Sequence, residues 1–409
     1  MARLLIADEE LISGGVETIR RGLLPALAAR CEAIVWCMPD HVAPGAVERL
    51  GLPQSVRASG LLPERGSSLR LLWSAVYRLR GLLPQKWFAR LADAIRDSGF
   101  REWIRIERLD YFLTICAHSQ RPAQVEAPVA SVVCDLSPDL PQAVRDNILE
   151  WVRRSDLVFC ISDFTRGVVA AAAPENREKL RVMLLPAERA KVEVRAEYPT
   201  PAPFFYYPAV ANPRKDHLTL FRALFELTRR GLDFRCVLTG RNTEMFRGTE
   251  RAAEEQVEAA RQFLIEHTAE LGARIECRGS VPAEERDRLF ATAACLVIPS
   301  TYEGFGLPLS EALAWGRPVI CAAIPPLLEQ VDFYEAKDRV LTYPPGDAAA
   351  LADLLAAQLA HPALIETHDD ACRRIGRWTW DDAAQLIHDA LATNIARPGR
   401  AQTAKGGGQ

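Results

Sequence analysis

Short apolar runs alternate with longer amphipathic segments along most of this chain. The first half carries such runs at 3–7, 33–37, 111–116, 129–133 and 156–161. The second half carries them at 204–207, 235–238, 293–298, 318–322 and 340–343. Short apolar runs that recur between segments with helical spacing predict buried parallel strands joined by helices. The pattern therefore predicts an α/β protein with two doubly wound sheets.

A break in this pattern predicts where the domains meet. Residues 187–203 are rich in proline and charge and lack an apolar period, so we expect them to form a linker. The linker would join an N-terminal domain at 1–186 to a second domain at 204–378. We expect a last helix at 379–396 and a disordered tail at 397–409.

Composition narrows the functional class. The net charge of −3 gives no general reason to expect nucleic acid as a partner. The ten cysteines are scattered through apolar runs without Cys-x-x-Cys pairs, so we interpret them as small core residues of a reducing compartment and expect no ligand cluster. Residues 1–10 lack the charge order of a signal peptide, and no apolar stretch approaches the roughly 18 residues of a membrane span. We expect a cytoplasmic protein that can also lie peripherally at the inner membrane.

The stretch 65–108 is rich in arginine and predicts helices. Trp73, Trp87 and Trp103 are interleaved with leucines there. Basic residues combined with tryptophan and leucine at helical spacing suit an anionic membrane surface. The same spacing also fits a packed helix pair with a solvated basic face, and both interpretations stay open.

The most informative stretch follows the run 293–298 and reads Pro-Ser-Thr-Tyr-Glu-Gly-Phe-Gly-Leu-Pro-Leu-Ser-Glu over 299–311. A glycine-containing loop that opens a helix presents backbone N–H groups and a positive dipole end, which suit an anion. Glu303 and Glu311, the latter expected in the first turn of that helix, offer acceptors for sugar hydroxyls. The loop therefore predicts a site for a group with both phosphates and hydroxyls, such as a sugar nucleotide.

Two further loops carry phosphate-binding chemistry. Gly14 and Gly15 stand between a predicted strand and a predicted helix, an arrangement that can place a phosphate on backbone amides. Arg214 and Lys215 stand at another strand–helix junction, where two cations can clamp a diphosphate. The alternatives are glycines needed only for the turn and a solvated pair of cations.

Glu303 and Glu311, with Gly-Phe-Gly-Leu-Pro between them, resemble the E-x7-E motif of the retaining glycosyltransferases of family 4, which have the GT-B fold. The resemblance extends over 204–380 and, more weakly, over the N-terminal half. It implies two Rossmann-like domains that face each other across a cleft, with a final helix that crosses back toward the first domain.

The resemblance also implies a role for each candidate residue. Glu303 would take hydroxyls of the donor sugar, surrounded by the amides of Phe305, Gly306 and Leu307. Glu311 would take the ribose hydroxyls.

The phosphate contacts follow in the same way. Lys215 falls on the lysine that holds the donor phosphate, with Arg214 beside it. The Gly14–Gly15 pair would approach the donor diphosphate and the acceptor. The turn at Gly240 would line the same edge, and the backbone near Val281 would contact the nucleobase.

This chain departs from the family pattern at two places. Cys134 stands where members often carry a histidine near the donor sugar. Asp135 is still a candidate for holding acceptor or sugar hydroxyls, and His118 at the neighbouring strand end either substitutes for the missing imidazole or is structural. An arginine that many members carry near residue 208 or 209 is absent, and Arg214 or Asn212 would compensate.

The resulting expectation is a retaining glycosyltransferase that moves a hexose from a nucleotide-diphosphate sugar to a glycan or lipid-linked acceptor in polysaccharide synthesis. Members of that family with a loop of the type Arg-Lys-Asp-His, as at 214–217, often use GDP-mannose, so the resemblance favours this donor, and UDP-sugars stay open. We expect no cofactor and no metal, because the chain lacks an Asp-x-Asp pair and its cations can neutralise the diphosphate. The alternatives are a GT-B sugar-nucleotide epimerase and a non-catalytic nucleotide-sugar-binding or scaffold protein. A glycoside hydrolase is less favoured, because it needs no phosphate-binding loops.

Overall fold

A computed structural model of the protein describes residues 2–8, 15–38, 47, 51–63, 68–118, 121–187 and 203–395. Gly14, most of the predicted linker and the predicted tail lie outside the described residues. The chain divides into two compact units. The first unit comprises Met1–Leu185 and Trp380–Gln409, and the second comprises Pro186–Thr379.

The strands follow the predicted apolar runs closely. In chain order they are β1 Arg3–Ala7, β2 Ala33–Cys37, β3 Val56–Ser59, β4 Tyr111–Thr114, β5 Val129–Val133, β6 Leu157–Cys160, β7 Leu180–Val182, β8 Phe204–Pro208, β9 Arg235–Thr239, β10 Ile275–Cys277, β11 Cys295–Ile298, β12 Val319–Ala322 and β13 Val340–Tyr343. The sequence pattern did not predict β3, β7 and β10, each of which lies at an edge of its sheet. All three are short and only partly buried, so none forms a continuous apolar run.

The helices fill the segments between these strands. In chain order they are α1 Gly15–Ala28, α2 Ser68–Arg78, α3 Gln85–Glu107, α4 Gln142–Arg154, α5 Asp163–Ala172, α6 His217–Arg229, α7 Glu255–Glu266, α8 Thr268–Leu271, α9 Ala283–Thr292, α10 Leu307–Ala314, α11 Pro325–Phe333, α12 Ala348–Ala360, α13 His368–Ile375 and α14 Trp380–Ile395. Short 3-10 turns occur at Pro174–Lys179, Pro213–Lys215 and Thr243–Arg247.

Each unit contains one parallel sheet whose strand order reverses near its centre. The seven-stranded sheet of the first unit has the order β3-β2-β1-β4-β5-β6-β7, and the six-stranded sheet of the second has the order β10-β9-β8-β11-β12-β13. This is the order of a doubly wound dinucleotide-type sheet, with the switch point between β1 and β4 in one and between β8 and β11 in the other. The predicted α/β fold class, with two doubly wound Rossmann-like domains, is confirmed.

The last helix, α14, belongs to the first unit although it follows the second unit in the chain. The hydroxyl of Tyr111 donates a hydrogen bond to the Leu391 carbonyl at 2.6 Å. A Cβ atom added at Gly22 of α1 would lie 1.9 Å from the Trp380 ring, so glycine permits the close approach of the two helices. These contacts fix α14 against the first sheet and against α1.

The arginine-rich stretch 65–108 contains the helix pair α2 and α3. Val76 and Ile95 pack together with Leu62 in a small apolar cluster. Large apolar side chains on the same pair are nevertheless exposed, including Leu82 at 81% and Trp87 at 67%. Packing of the pair therefore buries only part of its apolar surface. Within the part of the chain that the structure describes, no helix combines the length and the apolar character needed to cross a bilayer.

Candidate active site

The candidate site lies at the carboxyl ends of β8 and β11, the two strands that flank the switch point of the second sheet. Phe205 of β8 pairs with Cys236 on one side and with Cys295 on the other. The loops that leave β8 and β11 are therefore neighbours at the sheet edge. Ligands of open α/β sheets bind in the crevice at this position.

Lys215 and Glu303 meet at this edge. The Lys215 Nζ donates to the Glu303 Oε1 at 2.5 Å, and the two side chains are 19% and 11% exposed. The backbone N–H of Thr301 donates to the Arg214 carbonyl at 2.9 Å, which ties the two loops together. The structure thus brings together the cation and the carboxylate that the sequence singled out.

The hydroxyl of Tyr207 on β8 contacts both of these loops, a role that the sequence did not predict. Its hydroxyl donates to the Lys215 carbonyl at 2.8 Å and lies 3.1 Å from the Ser300 hydroxyl. Because the phenol has one proton, Ser300 is the donor in the second bond. Burial raises the pKa of Tyr207 well above its ordinary value, and the negative charge of Glu303 raises it further. The phenol therefore stays protonated and keeps donating to the Lys215 backbone.

The turn that carries Arg214 is defined by its own side chains. The Asn212 side chain accepts a hydrogen bond from the Arg214 N–H at 3.1 Å. Asp216 has a positive φ of 44° and caps α6 by accepting from the Thr219 N–H at 3.2 Å. The Arg214 guanidinium carbon lies 5.7 Å from the centre of the Tyr302 ring. Asn212 is thus engaged in the turn, and Arg214 lies against the loop that carries Glu303.

The glycine loop opens α10 as the sequence predicted. Gly306 has a φ of 93° and is the N-cap of this helix. The Gln330 side-chain N–H₂ donates to the Phe305 carbonyl at 2.6 Å and to the Gly306 carbonyl at 3.3 Å. The Phe305 ring is buried, so any contact of this residue with a sugar-nucleotide ligand would come from its backbone. Leu307 is the first residue of the helix, and the positive dipole end lies here.

The predicted placement of Glu311 in the first turn of the helix was wrong. Because Gly306 adopts the left-handed conformation, α10 begins at Leu307 and Glu311 is its fifth residue. The Glu311 Oε1 lies 3.8 Å from the Arg286 Nη1 of α9. The carboxylate is therefore oriented by a cation of the neighbouring helix.

Gly240 and Val281 lie near the same sheet edge. The Gly240 N–H donates to the Gly279 carbonyl at 2.8 Å. Gly240 has a φ of 128°, and a Cβ atom there would lie 2.4 Å from the Ala209 carbonyl oxygen. Glycine at 240 thus serves the close approach of two strand ends. Val281 is half-buried in the loop before α9.

The strand ends of the first unit carry a group that the sequence analysis missed. The Cys116 Sγ lies 3.3 Å from the His118 Nδ1, and the His118 Nε2 lies 3.2 Å from the Asp135 carbonyl. Together with Cys134 these side chains form a group of potential metal ligands, called the ligand cluster below. The expectation that no cysteine belongs to such a cluster was therefore wrong, because Cys134 joins the other two only when β5 pairs with β4.

A buried ion pair closes the end of β1, and it too was not predicted. The Arg20 Nη2 donates to the Asp8 Oδ1 at 3.0 Å, and both side chains are almost fully buried. Burial raises the pKa of Asp8, although its bonds to Arg20 oppose the shift. Gly15 is the exposed first residue of α1, while Gly14 lies outside the described residues.

His217, the first residue of α6, is buried behind the cation pair. Its ring centre lies 4.7 Å from that of Phe246 and 5.2 Å from that of Tyr207. Its Nε2 has no hydrogen-bond partner among the described residues. Burial lowers the pKa of His217 to about 3, with a further contribution from the positive charge of Lys215. The imidazole is therefore neutral in the native state and packs against aromatic rings.

The segment that contains this site matches a known protein family. Residues 190–377 match the family model described as "Glycosyl transferases group 1". This segment is a glycosyl transferases group 1 domain. It includes every candidate residue of the second unit.

Two named mannosyltransferases match parts of this chain. The chain is 39% identical over 97 residues to the O-antigen chain mannosyltransferase B of Escherichia coli, a match that covers 24% of this chain and 22% of that protein. It is 25% identical over 274 residues to the serotype-specific mannosyltransferase WbdA of Escherichia coli, a match that covers 67% of this chain and 29% of that protein. The chain thus spans less than a third of the length of either relative.

The fold is shared with solved structures over nearly the whole chain. The structure of Anabaena HepE in complex with UDP-glucose has a TM-score of 0.65, with 96% of this chain and all of that chain covered. The sequence identity is 16%, so the likeness is one of fold.

The glycine loop of the group 1 domain generates a stability prediction. A Cβ atom at Gly306 would lie 2.3 Å from the Leu327 side chain in addition to the strain of its positive φ. We expect Gly306→Ala to lower the free energy of unfolding by about 2–4 kcal/mol in urea titrations, because backbone strain and overpacking add. Gly346→Ala is the matched control, since Gly346 has a φ of 80° with nothing within 4 Å of an added Cβ. Equal losses in the two variants would contradict the proposed contact with Leu327.

The burial of His217 in the group 1 domain predicts a pH dependence. The unfolded chain binds a proton at this residue below about pH 6.5, whereas the native state does not until about pH 3. The stabilisation is thus complete above pH 6.5 and is lost as the pH falls, by up to about 1.4 kcal/mol per pH unit. We expect His217→Phe to reduce this slope between pH 6.5 and 4.5, measured by urea unfolding. The control is His361→Gln, a change at an exposed residue that should leave the pH profile of stability unchanged. A His217→Phe profile parallel to that of the wild type would show that His217 does not cause the pH dependence.

Proposed function

We propose that the protein is a retaining glycosyltransferase that moves a hexose from a nucleotide-diphosphate sugar to a glycan or lipid-linked acceptor. The observation that carries the proposal is the 2.5 Å contact of Lys215 with Glu303 at the switch point of the second sheet. This position favours a nucleotide ligand, and the pair supplies one group for phosphate and one for hydroxyls. The mannosyltransferase names of the relatives and the loop 214–217 support GDP-mannose as the donor and polysaccharide synthesis as the setting.

The donor phosphates would lie against the positive groups of the second unit. Lys215 supplies a point charge, Arg214 a planar fork, and the start of α10 a dipole. When donor binds, the Lys215 ammonium exchanges part of its contact with Glu303 for a phosphate oxygen. Fixed positive groups stabilise the diphosphate most as it leaves, because negative charge grows there in the transition state.

The hydroxyl contacts would come from the two glutamates. Glu303 accepts from hydroxyls of the donor sugar, and the backbone of Phe305, Gly306 and Leu307 lies around it. Glu311 accepts from the ribose hydroxyls while Arg286 orients its carboxylate. Gly240 and Val281 line the side where the base would lie.

The first unit would serve the acceptor. Asp135, at the end of β5, is proposed to hold acceptor or sugar hydroxyls, and the imidazole of His118 lies against its backbone. The Gly14–Gly15 backbone is proposed to approach the diphosphate and the acceptor. We propose that transfer needs no divalent cation, since Lys215 and Arg214 provide the charge that a metal would otherwise supply.

Variants of the ion pair test this assignment. Lys215→Ala should weaken binding of the free nucleoside diphosphate about 10–100-fold, measured by calorimetry, because it removes a charge-assisted phosphate contact. Glu303→Gln should leave that binding nearly unchanged but lower turnover about 100-fold or more, because its contacts form with the sugar. Donors are first ranked by thermal-shift screening with GDP-, UDP-, ADP- and dTDP-sugars.

The control is Lys337→Ala, which breaks an exposed Lys337–Asp332 pair in the same unit and should leave binding and turnover unchanged. Product analysis with and without acceptor separates transfer from epimerisation. Full activity in both Lys215→Ala and Glu303→Gln would refute the site, and a strict Mg²⁺ requirement would refute metal independence.

We also propose that α2 and α3 contact an anionic membrane surface, where a lipid-linked acceptor would be found. Leu71, Leu82 and Trp87 are exposed at 76%, 81% and 67%. Exposed cations occur in the same stretch of the chain: Arg70, Arg78, Arg80, Lys86 and Arg90. Apolar side chains that enter the interface, flanked by cations that face acidic headgroups, are typical of peripheral binding.

Vesicle sedimentation tests the membrane contact. We expect the protein to bind anionic vesicles at low salt, and Leu82→Ser with Trp87→Ser to weaken binding about tenfold or more, because each buried side chain contributes at least about 1.5 kcal/mol. Leu364→Ser is the control, because Leu364 is exposed at 83% in the second unit. Absence of binding at low salt, or an equal loss with Leu364→Ser, would contradict the proposal.

A further inference from the structure

The ligand cluster of the first unit has the geometry of a small metal site. One ligand atom from each of Cys116, His118 and Cys134 lies within 4.8 Å of the other two. In a tetrahedral zinc site with Zn–S near 2.3 Å and Zn–N near 2.0 Å, ligand atoms lie about 3.5–3.8 Å apart. The three side chains therefore need only small adjustments to share one ion.

The orientation of His118 is a second, independent observation. Its Nε2 lies 3.2 Å from the Asp135 carbonyl, which can only accept, so this nitrogen is the donor. The other nitrogen, Nδ1, faces the Cys116 sulfur at 3.3 Å. A histidine that donates one ring N–H to a backbone carbonyl and turns the other nitrogen to the ion is the usual arrangement at metal centres.

The backbone around the cluster is also fixed. The Asn147 side chain of α4 lies within hydrogen-bond distance of the Ala117 and His118 carbonyls, at 3.4 and 3.3 Å. The pairing of Thr114 with Ser131 holds the ends of β4 and β5 side by side. Two strands and a helix thus position the ligands before any ion binds, which lowers the ordering cost of binding.

We propose that Cys116, His118 and Cys134 bind one thiophilic metal ion, with Zn²⁺ as the ion whose ligand preference fits two sulfurs and one imidazole nitrogen. Binding displaces the thiol protons to solvent and forms two metal–sulfur bonds and one metal–nitrogen bond, without any change of oxidation state. Three protein ligands leave a fourth position for water or another oxygen ligand. The ion would fix the ends of β4 and β5 and the backbone of Asp135. The proposal does not depend on the donor site of the second unit.

Metal titration of the full chain tests the proposal. The protein is reduced, treated with chelator and freed of both reagents, and Zn²⁺ binding is then measured by calorimetry. We expect one ion per chain and a higher Tm with Zn²⁺, because the ion binds only the native cluster. Cd²⁺ should produce the ultraviolet charge-transfer band of cadmium–thiolate bonds, and Zn²⁺ should abolish it by competition.

Single substitutions assign the ligands. Cys116→Ser, His118→Ala and Cys134→Ser should each weaken Zn²⁺ binding more than about 100-fold, since loss of an outer partner alone costs 10–100-fold. Cys372→Ser is the matched control. Cys372 and His368 form a Cys–His pair on α13, with 3.5 Å between the Sγ and the Nε2, that could bind metal adventitiously.

Two outcomes would overturn the proposal. One is the absence of a cadmium–thiolate band in the unmodified chain, a result that does not depend on how any variant folds. The other is binding that survives the three substitutions and disappears in Cys372→Ser, which would show an adventitious ion only. Cadmium NMR of the unmodified chain provides a further check, because its chemical shift distinguishes two-sulfur from one-sulfur ligation.

Discussion

The contact between the Lys215 ammonium and the Glu303 carboxylate depends on the parallel placement of β8 beside β11. The two residues are 88 positions apart in the chain, and the neighbouring strands bring their charges to 2.5 Å. An ion pair with so little exposure loses much of its hydration, and attraction offsets that loss only when the geometry is good. The Thr301–Arg214 backbone bond and the Tyr207 hydroxyl supply that geometry, since the first ties the two loops together and the second holds the Lys215 backbone to β8. The pair is therefore a property of the sheet and not of two mobile surface side chains.

The sequence could predict the candidate site of the second unit because each of its strands and loops leaves a local signal in the sequence. A strand buried on both faces is a continuous apolar run, as β8 and β11 are. Glycine at a position with positive φ, as at Gly306, marks the loop that opens a helix. The fold class was predicted from the same apolar runs. Strands β3 and β7 were not predicted, because edge strands with exposed positions have no such run.

What could not be predicted depends on register and packing between distant segments. Tyr207 appeared to be one more core residue of β8, and only the structure shows its hydroxyl on the Lys215 carbonyl. Glu311 lies beyond the first turn because the left-handed Gly306 starts the helix at Leu307. The Cys116–His118–Cys134 group exists only because Thr114 pairs with Ser131, a register that no local pattern encodes.

The two sheets carry different chemistry at the carboxyl ends of their strands. In the second sheet, cations and carboxylates stand beside the switch point, and these are groups for phosphates and hydroxyls. In the first sheet, two thiols and an imidazole stand at the ends of β4 and β5, and these are groups for a soft ion. Taken alone, Cys134 is the loss of an imidazole that the family resemblance led us to expect. In the structure, the imidazole of His118 lies at the same strand end, beside the sulfurs of Cys116 and Cys134. Under the proposed zinc site, Cys134 would thus act as a metal ligand at this strand end.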